Sequence, residues 1–230
     1  MNFSASPITF TLIALNALFS FIGFSNSTLV DKTIMWPYEI KRKKQYYRFI
    51  ISGFLHANWM HLIFNMFTLY FFGRNIEAIF AAANLGGWAA YLELYLAGMI
   101  IADIPSYFRH KDNYGYRALG ASGAVSAVVF ATIIFDPWSS IYLYGALKIS
   151  SAVYAVLFIV YCVYMDKRGG DNINHNAHLW GAIFGLAFTL ILIGTLRPDI
   201  FPYVLQDLKK PTFMGRQEYG AVLKYIFPLN

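Results

Sequence analysis

Four of the polar side chains that lie within long apolar stretches of this sequence could do chemistry together. Ser122 opens the stretch 122–135, His61 and Asn65 fall inside 53–73, and His178 sits near the start of 174–195. A hydroxyl alone is a poor nucleophile, but an adjacent imidazole can take its proton during attack. The oxyanion formed on a carbonyl substrate then needs donors placed where the charge develops. Candidates are the side chains of His61 and Asn65, together with the backbone N–H of Ser122 if a helix begins there. The chemistry these residue types suggest is acyl transfer, with Ser122 as nucleophile and His178 as general base.

Elements able to position such groups must first satisfy the composition. The chain has 230 residues, 58% hydrophobic, 19% aromatic and 13% charged. An ordinary soluble domain carries about 25% charged residues. The apolar content excludes a disordered chain, and the single Cys162 excludes a disulfide scaffold. Six apolar stretches bounded by charge, Gly or Pro run over 8–24, 53–73, 87–104, 122–135, 149–165 and 174–195. Most approach the roughly 20 residues that span a bilayer as a helix, and an open sheet cannot satisfy its backbone in lipid. The expected fold is therefore all-α: a polytopic membrane bundle of six transmembrane helices over 1–197. The tail 198–230 is expected to be interfacial or loosely ordered. The first stretch lacks a basic leader and a small-x-small cleavage site, so it reads as a permanent helix. No internal repeat is visible, which weighs against repeat-built transporter folds. In so apolar a chain the net charge of +6 points to lipid head groups rather than nucleic acid.

The fourth stretch is short. From Ser122 to Phe135 it gives roughly 21 Å of helix, about 9 Å less than the hydrocarbon thickness. Its helix must begin inside the membrane after the irregular segment 114–121, and such backbone is tolerated only in protein or beside a wet cavity. Counting crossings, Ser122 and His178 both lie just below the face that also receives the first loop. His61 lies roughly 12 Å below the same face. His61 and Asn65 share one helical face, as do His178, Gly181 and Gly185. Gly181 and Gly185 form the small-residue pattern that lets helices approach closely, and Gly123, Ala127 and Ala131 offer a second small ridge. Joined, the two ridges bring His178 within reach of Ser122.

Other polar groups have milder readings. His56 and His175 are expected to line a wet vestibule or its rim. His175 and His178 have ligand-like spacing, but without HExxH or a companion carboxylate neither a metal nor a cofactor is expected. Glu93 would pair with a neighbour or snorkel outward. Asp171 lies in a short, Gly-rich loop, so the dyad is not extended to a triad. That loop, 166–174, reads as a lid.

Gly120-Ala121-Ser122-Gly123 resembles the GxSG signature of rhomboid intramembrane serine proteases. The stretch from His61 to Asn65 resembles their HxxxN motif, and Ala177 to Gly185 is similar to their AHxxGxxxG. Tyr47-Arg48, Gly73 and Glu77 match as well, and the resemblance covers about residues 8–196 in the family's order. It implies a six-helix fold, a Ser122–His178 dyad without an acid, and an oxyanion hole containing His61 and Asn65. It also implies single-pass membrane protein substrates with small or helix-destabilising residues near the cleavage point. The location it implies is a bacterial inner membrane, with the active-site face extracytoplasmic. Against that orientation, eleven of the eighteen basic residues fall on the active-site face, which the positive-inside rule would place in the cytoplasm. One position departs from the family pattern. Where many members place an aromatic that stacks on the catalytic histidine, this chain has Ser126, leaving Trp180 or Phe130 as substitutes. The alternatives are a catalytically silent membrane binding protein of the same fold, or a small channel or transporter.

Overall fold

The computed structural model describes residues 6–143, 147–170, 173–216 and 218–227. Helix α1 spans Pro7–Ser25, with Pro7 at a first-turn position where its missing N–H costs nothing. The first loop folds into three short helices: α2 (Ser27–Thr33), α3 (Pro37–Lys43) and α4 (Arg48–Ile51). Arg48 is buried and fastens this loop. Its Nη1 donates to the carbonyls of Asp31 and Ile34, and its Nε to Gln45.

The second apolar stretch differs from its expected bounds. Residues 53–58 are a 3₁₀ turn and loop, and α5 begins at Trp59, capped by Asn58 accepting from the His61 N–H. From α5 (Trp59–Thr68) the chain continues through a π-helical turn, Leu69–Gly73, into α6 (Arg74–Ala82). The polar residues Arg74 and Glu77 suggest an end that does not occur. Glu77 is buried because its carboxylate accepts from the N–H groups of Ile8 and Thr9 and from Thr9 Oγ1, at 2.7–2.9 Å. It thereby satisfies orphan donors at the start of α1.

Helix α7 (Gly87–His110) runs beyond its expected end through Pro105. Helix α8 (Ser122–Phe135) has the expected bounds and lies against both α7 and α10 (His175–Leu196). Between α8 and α9 (Ser151–Arg168) the chain forms an unexpected antiparallel hairpin, β1 (Ser140–Leu143) with β2 (Leu147–Ser150), pairing Ser140 with Ser150. The fold is thus mainly helical rather than wholly so. Among the described residues, three helices are long and apolar enough to cross a membrane: Pro7–Ser25, Gly87–His110 and His175–Leu196; Ser122–Phe135 is a shorter apolar helix.

Within the tail, α11 (Phe201–Leu208) and α12 (Ala221–Ile226) bury Ile200, Val204 and Val222. Arg216 bridges Asp136, just past α8, to Asp207 at 2.8 and 2.7 Å. Trp138 Nε1 donates to the Asp207 carbonyl at 2.7 Å. Glu93 is exposed on α7, and Asp171 lies outside the described residues.

Candidate active site

Helix α8 delivers Ser122 at its first residue, where the opening N–H groups have no carbonyl four residues back. The approach to it is tightly held. Gly120 donates its N–H to the Ser52 carbonyl at 3.1 Å, and Met35 and Ala118 form an antiparallel bridge between the first loop and this segment. Gly120 has φ +124°, and a Cβ there would stand 2.5 Å from His61 Cε1. Glycine is required at this turn both for backbone conformation and for the approach of the His61 ring. The ring it meets belongs to α5, so Gly120 packs against that helix through His61.

His56 was expected at a vestibule or rim, but it is buried beneath the same segment. Ser20 Oγ donates to the Phe54 carbonyl at 3.1 Å and lies 2.9 Å from His56 Nδ1. The Ala121 N–H faces His56 Nε2 at 3.5 Å, an arrangement that suits the tautomer with its proton on Nδ1, towards Ser20. His175 is buried too, and it lines a cavity of about 90 Å³ together with Arg109, Asp166 and Asn176. For His56, hydropathy ranks a histidine as polar but does not reveal the partner, here Ser20, that lets it be buried.

The small-residue ridges meet as their spacing predicts. A Cβ on Gly181 would stand 2.1 Å from the Gly123 carbonyl oxygen, and one on Gly185 would stand 2.1 Å from that of Ala127. Gly123 faces Ala102 of α7, where a Cβ would meet the Ala102 Cβ at 2.6 Å. Three backbones therefore pass close together beside Ser122. At the head of α10, the Asn174 side chain accepts from the Ala177 N–H at 3.1 Å and from Ser106 Oγ at 3.2 Å, which fastens that end to α7.

One cavity of about 260 Å³ collects Ser122, His178, His61 and Asn65, with Ser126 on its wall. Asn65 Nδ2 donates to the His61 carbonyl at 2.9 Å, and a primary amide keeps a second N–H for another acceptor. Phe64 and Thr68 of α5 line one side, and Tyr154 and Phe158 of α9 the other. A second cavity of about 20 Å³ lies behind Ser122, lined by Asp103, Gly120 and Asn174 among others. That volume accommodates about one water.

The aromatic missing at Ser126 is replaced from α9. Phe158 stacks on the His178 ring at 6.2 Å and 22°, whereas Trp180 is exposed and Phe130 packs on Phe158. The signal that finds Phe158 is its position on α9 and not its distance from Ser122 along the chain. Phe158→Leu should preserve volume while removing the ring face. Loss of such a pair is worth about 0.5–1.5 kcal/mol, so any reaction that uses His178 as its base is expected to slow by roughly 2- to 13-fold. A steady-state rate equal to wild type would show that Phe158 does not hold the imidazole.

Outside the spans, Lys41 bonds Asp112 at 2.5 Å and holds its carboxyl below the ordinary range. Arg109 pairs with Asp166 at 2.8 Å, and Arg117 with Asp31 at 3.1 Å. Several basic residues of the active-site face are thus ion-paired on that face.

The chain is similar to RHOMBOID-like protein 12, mitochondrial, of Arabidopsis thaliana, at 29% identity over 164 residues, covering 64% of this chain and 47% of that protein. It is similar to Rhomboid-like protein 11, chloroplastic, of the same plant at 30% over 159 residues, covering 64% and 52%. Similarity to rhomboid protease GlpG of Salmonella newport (strain SL254) is 27% over 198 residues, covering 81% and 63%. The matches thus span about half of each plant relative and less than two thirds of the Salmonella protein. The Rhomboid domain family model matches residues 43–195, a segment that includes His61, Asn65, Ser122 and His178. With that match over most of its length and with its apolar helices, the chain is an integral membrane protein of the rhomboid family.

Proposed function

We propose that the chain is an intramembrane serine endopeptidase that hydrolyses peptide bonds in or next to the transmembrane helix of single-pass membrane proteins. The observation that carries this reading is the shared cavity, which Ser122, His178, His61 and Asn65 all line. Ser122 attacks the scissile carbonyl while His178 takes its proton and later returns it to the leaving amine. The oxyanion is held by Asn65, by His61 and by the Ser122 N–H at the head of α8. Water then releases the acyl group from Ser122 and restores the dyad. Substrates with small or helix-destabilising residues near the bond unwind most readily into the cavity.

In this reading six segments cross the bilayer: α1, α5 with α6, α7, α8, α9 and α10. Residues 1–197 form the membrane domain, and 198–230 form an interfacial tail. The segment 166–174, which begins in the last turn of α9 and of which 171–172 lie outside the described residues, acts as a lid. The chain resides in a bacterial inner membrane with the active-site face outside, its basic first loop lying against lipid phosphates. Reporter fusions after Lys111 test that orientation: a periplasm-active reporter should work there, and activity of only a cytoplasm-active reporter would overturn it.

The function is tested with the purified protein reconstituted alongside a model transmembrane substrate. Cleavage is expected, with a serine-directed fluorophosphonate blocking it and labelling Ser122 in a peptide map. Label on another serine in a cleaving sample would assign the nucleophile elsewhere. Asn65→Ala is expected to slow turnover by about 10²–10³-fold, the usual loss for one oxyanion donor. An unchanged rate removes Asn65 from that role.

A further inference from the structure

One cluster joins His178 to two side chains, Cys162 and His175, that the proposed hydrolysis does not use. Cys162 of α9 and His175 and His178 of α10 place one ligand atom each within 4.8 Å of one another. The two histidines stand one turn apart, with ring centroids 5.9 Å apart at 79°. Cys162 is four residues beyond Phe158, so both side chains face α10 from the same side of α9. Spacing had suggested the two histidines; the third donor comes from another helix, which spacing cannot show.

We propose that Cys162, His175 and His178 form a site for a borderline divalent transition ion such as zinc, and that filling it silences the protease. The second half rests on the reading of His178 as general base. The donor set is one thiol and two imidazoles, which select zinc-like ions over calcium or magnesium. Zinc bonds of about 2.0–2.3 Å separate tetrahedral ligands by roughly 3.3–3.8 Å, so side-chain rotation has to close about 1 Å. The cluster is walled by aromatics, with Phe158 stacked on His178 and Tyr161 edge-on to His175 at 5.4 Å. Cys162 and His175 are buried, while His178 also lines the cavity, from which water can take the fourth position. On binding, the Cys162 thiol releases its proton to solvent and the thiolate ligates the ion. An imidazole with one nitrogen on the ion and a proton on the other has no lone pair for the Ser122 proton. The same ion ties α9 to α10.

Cobalt(II) reports the site without reference to activity. The full chain in detergent is titrated with cobalt(II) and then with zinc, following the thiolate-to-cobalt charge-transfer absorption. The wild type and Ser122→Ala should both develop the band and lose it to zinc. Cys162→Ser and His175→Gln should lack it at the same concentration, their binding weakened roughly 100-fold or more, beyond what outer-shell changes cost. Cys162→Ala serves if the serine variant does not keep the wild-type helical circular dichroism. In the cleavage assay, zinc should inhibit the wild type and leave Cys162→Ser uninhibited, each compared with its own metal-free rate. A wild type without the band, a band that persists in Cys162→Ser or equal zinc inhibition of both overturns the proposal. If the wild type binds cobalt through Cys162 but cleaves nothing, the ion site stands and the dyad reading fails.

Discussion

Ser122→Ala is expected to lower the rate of substrate cleavage by about 10⁴–10⁶-fold, with His178→Ala costing nearly as much and the double variant no more. The reason is that the two side chains perform one act. Without the imidazole the hydroxyl keeps its proton, and without the hydroxyl the imidazole has nothing to activate. Two independent contributions would multiply instead, so the double variant is the informative measurement. Residual cleavage in the double variant far below that of either single would show that the residues act separately. Cleavage surviving in both single variants would remove the dyad altogether. The substitutions also test whether the protein is a silent binder of membrane helices. A binder would retain substrate capture in all three variants and show no wild-type cleavage to lose.

The second large effect lies where no polar atom is changed. Gly181→Ala places a Cβ 2.1 Å from the Gly123 carbonyl oxygen, against an ordinary carbon–oxygen contact of about 3.3 Å. Backbone is on the receiving side, so rotation of a side chain cannot relieve it. Helices α8 and α10 must separate by roughly 1 Å, at a cost typical of overpacking, about 1–3 kcal/mol. The functional loss should exceed the structural one, because Gly181 is one turn from His178 and Gly123 adjoins Ser122. A misplacement of about 1 Å between reacting groups costs on the order of 10²-fold in rate. Gly185→Ala supplies the comparison. Its Cβ meets the Ala127 carbonyl at the same 2.1 Å, one turn farther from the dyad. Thermal unfolding of the two variants should shift by similar amounts, while Gly181→Ala loses more activity. Equal activity losses would mean that the ridges matter for stability alone.

The contrast between these regions explains what sequence reasoning could reach. Helix α8 was legible to the residue, because its apolar run has hard ends, Gly120 before it and Asp136-Pro137 after it. The approach of α10 to α8 was legible too, since Gly181 and Gly185 one turn apart state where a backbone can come close. Where polar residues were bought into the interior by distant partners, the reading failed. Glu77 looks like the end of a span until the N–H groups of Ile8 and Thr9 are seen to need a carboxylate. His56 looks like a rim residue until Ser20 and Ala121 are seen on either side of its ring. Phe158 and Cys162 were missed for a related reason. Their helix α9 offers no motif, so only its placement beside α10 shows which of its residues face His178. The hairpin of β1 and β2 was hidden by being short and by lying between two strongly apolar helices.

The burial of α8 has a consequence for how a peptide gets in. Twelve of its fourteen residues are buried, its leading end is tied to Ser52 and sits over His56, and Asp136 behind it is clamped by Arg216. Helix α9 buries only Ser151 and Cys162 of its eighteen residues. Ser122, the proposed nucleophile, therefore stands on the best-packed helix, while the wall carrying Phe158 and Tyr154 is the part with least to lose by swinging aside. Opening the cavity would leave Ser122 where it is and disturb the stacking partner of His178. On the proposed function, admitting a substrate and aligning His178 would then be competing states of a single wall, and the chemistry would wait for that wall to return.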